Sequence, residues 1–564
     1  MNLMRIAALA ALSTISAAAQ LTSDQKVSDF VQLAGTYAKN YGPYEWKIQT
    51  QGFDLYDVKP WLERVRATKN DLDFLDLMIE YVASLNDAHD SVSFNFDFFA
   101  DLGIRFDIYD GRVLIDSINR GLLPAARYPF VIGDELVSVD GKTAEEWLRI
   151  FDKYSIAANP RSTRRQAASW IALRVQQVYP YAAQIGVSAE VVVRRQNGDL
   201  ETYQITWAKS GTPIESIGKI PNLRTASARQ EEWDDRPAPL KFIEQLQTVR
   251  LDPARYDAIL NFGSRTPVYR LPAGFQMRLG AAAADVFLSG TFDSGGHRLG
   301  YIRIPSYSQN TTGAALNQFA AEIAFFQANT EGLVIDEMRN PGGNACYVDS
   351  LVQFLIPYRF RRLGFQLRAT NIWVATFSSM LAQAKAQQFP QWVIDLLQAN
   401  FDAVYAAYKE NRGMTGPLPL CTNGSFSLDV DPATAQNGSI LAYTKPIVVL
   451  VDEFSASGAD MFPAILQDNN RAIIMGMRTM GAGGNVSTWN AGAFSEAYAR
   501  LTMSLMARKN PIVTAEYPTA PYVENIGVRP DIAYDYMTKE NLLTGGAPFV
   551  QAFTKAIVDA VEGR

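Results

Sequence analysis

The sequence predicts a multidomain α/β protein, and three observations carry that prediction. At 564 residues the chain is too long for one core, given about 100–200 residues per domain. Apolar residues make up 48% and charged residues 20% of it, a globular balance and not a disordered one. The hydrophobic period then changes twice along the chain, from helical spacing to short alternating strands, and from those to strands alternating with helices.

Residues 1–19 of MNLMRIAALAALSTISAAAQ form an expected signal peptide. Arg5 supplies the charged start, Ile6 to Ile15 the short apolar run, and Ala17 to Ala19 the small-residue cleavage region. That run is too short to span a bilayer, and no later segment is long enough either. The expected location is therefore extracellular, or periplasmic in a bacterium. Residues 20–98 are expected to be helical, with apolar residues at helical spacing over Thr22 to Tyr41 and Val58 to Leu85. Residues 99–208 turn to strands. LGIRFDIYDGRVLIDSI alternates about an Asp110–Gly111 hairpin signal, and IGDELVSVDGKTAEEW has turns at Gly133–Asp134 and Asp140–Gly141. A helical stretch at Arg161 to Val178 precedes the closing strands AEVVVRRQNGDLETYQITW.

This module resembles a PDZ domain, through LGIRF at Leu102 to Phe106 and GDELVSVDG at Gly133 to Gly141. The resemblance implies a loop whose N–H groups capture a peptide carboxylate beside a strand that pairs with the peptide. Residues 209–290 have weak periodicity and read as a linker with some structure of its own. Residues 291–564 carry the second pattern. A strand is expected at Leu299 to Ile304, a helix at Ala314 to Ala328, a strand at Gly332 to Glu337, then RNPGGN and a helix from about Tyr347. Another helical segment runs from Phe377 to Tyr408, with further strands near Ala472 to Met477 and Ala499 to Met506. Strand–helix alternation implies a mainly parallel sheet with its site at the strand ends.

The composition narrows the chemistry. A net charge of −6 gives no electrostatic case for nucleic acid or an anionic membrane. The two cysteines, Cys346 and Cys421, have no neighbouring cysteine or histidine at metal-ligand spacing, which argues against a zinc site; neither a metal nor a cofactor is expected. Whether they pair is open. Only two histidines occur. His297, in DSGGHRLGYIRI, reads as a solvated turn residue. His89, in SLNDAHDSVSF, falls on a loop between a helix and a strand, where positioned catalytic groups are often carried; exposure statistics alone would make it a surface residue.

PIVVLVDEFSASGADMFPAILQD, from Pro446 to Asp468, is the most informative stretch. It reads as a buried strand, a small-residue turn and an apolar helix. Such a turn exposes one hydroxyl and aims backbone N–H groups at whatever it attacks, with the helix dipole favouring negative charge there. Serine acyl transfer needs that arrangement. An N-cap serine is the alternative. In RNPGGN, Gly342 and Gly343 allow an amide to turn towards a ligand, or simply make a tight turn.

Together these segments resemble the C-terminal processing (tail-specific) serine peptidases, over roughly Gly300 to Ile532 and the PDZ-like region before it. Asp336 to Gly343 resembles that family's D-x-R-x-x-G-G run with one residue more, and FSASGADMFPAILQDNNRAIIMG its nucleophile segment. The resemblance implies a crotonase-like catalytic fold, with Ser457 rather than Ser455 as nucleophile and Gly342, Gly343 and Gly458 as oxyanion donors. Many members follow the nucleophile with T-x-G-K-G; here TMGAGG puts Ala482 at the lysine position. Relatives of the Ser–His–Glu type carry their histidine before the PDZ-like region and their glutamate near the C-terminus. That correspondence assigns His89 and, in YVENIGVRPDI, Glu524, with Glu516 as a substitute. The expectation is a secreted endopeptidase acting on proteins or peptides, with a homodimer left open. An inactive peptide-binding protein and an esterase on the same triad are the alternatives.

Overall fold

The computed structural model describes residues 20–217, 236–256, 258–308, 312–421 and 426–564. The expected signal peptide lies outside them. The C-terminal half is organised around a seven-stranded sheet with spatial order Gln276–Leu279, Leu288–Ser294, His297–Arg303, Gly332–Asp336, Ile447–Val451, Ile473–Gly476 and Ile532–Ala533. The last five strands run parallel, and the first two add on as an antiparallel pair. GLVID and IVVLV are apolar at nearly every position because both faces of these central strands are covered. Leu333 and Ile335 point into a core shared with the helices Thr312–Asn329, Ala345–Val352 and Gly458–Asp468, while Val334 points the other way, to Phe549, Phe553 and Ile557 of Ala547–Val561.

The PDZ-like module is a separate antiparallel sheet, in order Ile104–Tyr109, Arg112–Ile118, Glu135–Val139, Ser188–Arg194 and Leu200–Thr206. Asp110 and Gly111 both have positive φ, 49° and 75°, which closes the first hairpin in two residues. Helix Pro160–Trp170 lies beside the edge strand Ile104–Tyr109, and Arg165 crosses between them. It donates to both oxygens of Asp107 at 2.9 and 2.7 Å and lies 3.3 Å from Glu453. The Ser162 hydroxyl donates to the Glu453 carbonyl. These bonds bridge the strand–helix groove and fasten the module to the turn that carries Ser457.

Several expected helices are shorter than their apolar periodicity suggests. The stretch from Val58 to Leu85 divides into Lys59–Ala67 and Asp71–Ala83 because Asn70 Oδ1 accepts from Asp73 N–H at 2.8 Å and starts a new helix. The stretch from Phe377 to Tyr408 divides at Pro390, which cannot continue a helix, into Asn371–Ala386 and Gln391–Lys409. The expected helix at Arg161 to Val178 ends at Trp170. Leu173–Val175 instead pairs with Phe99–Asp101, so a tertiary ladder overrides local spacing. Within the stretch read as a linker, the described residues form helix Ala238–Gln247 and strand Thr248–Arg250, and then two strands of the central sheet. Cys346 and Cys421 are joined in a disulfide. Among the described residues, no helix is long and apolar enough to cross a membrane.

Candidate active site

The parallel strands Gly332–Asp336 and Ile447–Val451 are neighbours, and the turns after them meet above the sheet. At the second turn Ser457 has φ 61° and ψ −107°, a conformation that costs a non-glycine residue of order 1–3 kcal/mol. Asp460 holds it there. Its carboxylate accepts from Ser457 N–H at 2.7 Å, from Gly481 and Ala482 N–H at 2.9 Å each, and from the Thr479 hydroxyl. Burial pushes this carboxyl up to about 6, against those four donors. The Asp460 N–H goes to the Ser457 carbonyl at 2.9 Å. The Ser457 hydroxyl lies 2.7 Å from His89 Nε2.

Ser455, the other serine of the turn, serves the scaffold: its Oγ accepts from Asp452 N–H at 3.1 Å and donates to the Glu337 carbonyl at 2.9 Å.

His89 arrives from the loop after helix Asp71–Ala83. Its N–H donates to Asp87 Oδ1 at 2.9 Å, while Asp87 Oδ2 accepts from the Tyr41 hydroxyl at 2.9 Å. Asp90 Oδ1 accepts from Thr502 N–H at 2.9 Å and anchors the far side of the loop. The imidazole is buried, and among the described residues its Nδ1 has no hydrogen-bond partner. Burial, against the opposing pull of Asp87 and with help from Arg500 and Lys47, pushes His89 down to about 3. The ring is thus neutral through the physiological range, the form able to take a serine proton.

Glu524 lies at the same buried centre, but its carboxylate does not reach His89. One oxygen accepts from Lys47 Nζ, the other from Gly483 N–H at 2.9 Å. Burial, reinforced by Asp87, pushes the carboxyl up to about 8 against Lys47 and Gly483. Glu516 is on the surface, paired with Arg529 at 2.8 Å. His297 starts its strand, at the end opposite the site, 2.8 Å from Glu331.

The glycine turn brings its backbone close to Ser457. A Cβ on Gly342 would fall 2.6 Å from Gly458 N, and one on Gly458 3.2 Å from Gly343 N, so only glycines let these segments approach. Gly342 N–H donates to Asn340 Oδ1 at 2.9 Å. Gly343 pairs with Val249 in an antiparallel ladder that continues through Leu251 N–H to the Pro341 carbonyl at 2.9 Å. Gly458 N–H is the first amide of its helix, which the helix itself leaves unpaired. Thr248–Arg250 thus occupies the Gly342–Asn344 edge beside the Ser457 turn. Leu251 and Tyr256 pack in the same apolar cluster as Ala88, Phe454, Ala456, Met480 and Ala482.

Sequence reasoning passed over two residues. Asp460 had a usable signal, an acidic side chain three residues after the serine at a helix start. Lys47 had none, because only the fold brings helix Tyr44–Gln51 to Glu524. Among the described residues no cluster of histidine, cysteine and carboxylate side chains has a metal-binding arrangement.

Comparison with known proteins gives this geometry its class. Residues 298–534 match peptidase family S41 and residues 99–216 match a PDZ domain. The protein is a serine-type peptidase with an attached PDZ module. Its catalytic domain, residues 298–534, belongs to peptidase family S41. An uncharacterised protein of Chlamydia muridarum is 24% identical over 588 aligned positions, covering 92% of this chain and 90% of its own. A protein of Chlamydia pneumoniae is likewise 24% identical, covering 95% of this chain and 90% of its own. The crystal structure of mature CPAF superposes with a TM-score of 0.74 at 22% identity, over 96% of this chain and 98% of that one. At such identity the structural likeness is one of fold.

Proposed function

We propose that the protein is an exported serine endopeptidase in which Ser457 is the nucleophile, His89 the general base and Glu524 the acidic member. The 2.7 Å contact between Ser457 Oγ and a neutral His89 carries the reading. Ser457 Oγ attacks the scissile carbonyl as its proton passes to His89 Nε2. The same nitrogen then returns the proton to the leaving amine, and water repeats the cycle on the acyl-enzyme. Gly458 N–H and, once a substrate strand replaces Val249, Gly343 N–H stabilise the oxyanion. Glu524 supplies the negative charge that favours the imidazolium formed in between. The signal-like residues 1–19 support export.

Turnover of fluorogenic peptides and matched esters by the wild type and Ser457→Ala tests this reading. Peptide cleavage lost in the variant is the expected result. Ester turnover without peptide turnover would make the protein an esterase. Peptide binding without turnover would make it an inactive peptidase-like binder.

A further inference from the structure

We propose that Lys47 is a positioning residue of the catalytic machinery, fastening the Glu524 loop to the His89 loop and providing the counter-charge of Glu524. The inference rests on the serine-peptidase reading above. Lys47 lies on the helix Tyr44–Gln51 and its side chain is 0% exposed. An ammonium taken so far from water is tolerated only with its protons satisfied. All three are used: on the Glu524 carboxylate, on Asn525 Oδ1 at 2.7 Å and on the Asn86 carbonyl at 2.9 Å. Asn86 belongs to the loop that delivers His89, and Glu524 and Asn525 belong to the turn that delivers the acid. The clasp is reinforced twice, by Asn525 Nδ2 donating to the Asn86 carbonyl at 2.9 Å and by Trp46 Nε1 donating to the Glu524 carbonyl at 3.1 Å.

Stability alone is a poor reason for this arrangement. A buried ion pair is often no more stabilising than apolar residues of the same volume. A charge requirement at Glu524 is a better one. The groups around the pair are Asp87, His89 and Asp90 from the histidine loop, Tyr41 at the end of the first helix, the Gly483 amide, and Arg500 acting on His89. Asp87 and burial favour a neutral Glu524 carboxyl; Lys47 and the Gly483 amide oppose them. A neutral carboxyl would offer His89 no charge during proton transfer. Lys47 is then the side chain that keeps the acid in use while tying it to the correct loop.

The test is the pH dependence of kcat/KM for wild type, Lys47→Met, Lys47→Arg, Glu524→Gln and the Lys47→Met/Glu524→Gln double variant, with melting temperatures alongside. Loss of an adjacent opposite charge moves a carboxyl by about 1–3 pH units. Lys47→Met should therefore move the rising limb of the profile up by about that much, lose at least about tenfold in rate at pH 7, and recover part of it at higher pH. Lys47→Arg should keep the limb near its wild-type position. In the Glu524→Gln background Lys47→Met should cost nothing further in kcat/KM, because Lys47 acts through Glu524. A lowered melting temperature with an unmoved limb would make Lys47 merely structural and overturn the proposal. If Lys47→Met does not fold, the double variant, which buries neither charge, decides. Rates equal to Glu524→Gln support the proposal, and a further loss overturns it. An inert wild type would bring down the serine-peptidase reading and this inference with it; an active wild type with an unmoved limb overturns this inference alone.

Discussion

The two sides of the site are built in opposite ways. On the nucleophile side, Ser457 is held by Asp460, three residues on, and Asp460 is held by the Thr479–Ala482 loop that follows the next strand. The carboxylate has four donors and the serine N–H has a charged acceptor, so the strained turn is over-determined. On the base side, His89, Lys47 and Glu524 come from three distant segments. Lys47 and Glu524 are 477 residues apart in sequence, and His89 Nδ1 has no hydrogen-bond partner among the described residues. One side is rigid by local chemistry. The other depends on the N-terminal helices being docked on the catalytic domain, so changes far from the nucleophile should reach catalysis through the base side.

The largest effects should fall where the two sides touch. Ser457→Ala and His89→Ala should each lower kcat by up to about 10⁶ and add little to each other, since a nucleophile and its base act as a unit. Steady-state kinetics on both single variants and the double variant measure this. Independent, additive losses would mean that the 2.7 Å contact is not the catalytic pair. Glu524→Gln should lower kcat by about tenfold or more above pH 8, where the wild-type carboxyl is ionised, by removing a nearby charge that favours the imidazolium. A loss no larger than that of a surface substitution would remove Glu524 from the machinery.

Asp460→Asn tests the rigid side. An amide presents one acceptor oxygen, so the donors facing the other carboxylate oxygen would meet an NH₂ group. Unfolding in urea should show a loss of roughly 2–4 kcal/mol. Stability equal to wild type would mean that the turn is held by something other than these bonds. A smaller effect is expected with pH. Glu524 is pushed up to about 8 and His89 down to about 3, so the ionised acid and neutral base coexist increasingly as pH rises. The kcat/KM profile should climb through pH 8 and not level off near the usual histidine range. The least effect is expected from Trp46→Phe, which removes one hydrogen bond to the Glu524 loop and should cost about 1 kcal/mol of stability.

The same contrast explains what could be read in advance. IVVLV, the turn and the helix after it form a local unit, so the strand Ile447–Val451, the helix start and Ser457 were legible in sequence. GLVIDE followed by RNPGGN was legible for the same reason, though the donation of Gly342 N–H to Asn340 was not, because it depends on a side-chain rotamer. His89 stands out in the sequence through the scarcity of histidine and a resemblance to related peptidases, and the fold sets its Nε2 2.7 Å from Ser457 Oγ. Lys47 has no local signal: EWKI looks like any amphipathic turn of helix. Strand Thr248–Arg250 was equally hidden, since its pairing with Gly342–Asn344 comes from chain almost a hundred residues away, and a three-residue ladder leaves no periodicity.

The most direct test is to treat the folded protein with a fluorophosphonate probe and map the adduct by mass spectrometry, beside Ser457→Ala and His89→Ala. A single adduct on Ser457 is expected in the wild type and none in either variant. An adduct on Ser457 that survives His89→Ala at the wild-type rate would contradict this expectation, because some other group would then be activating the serine.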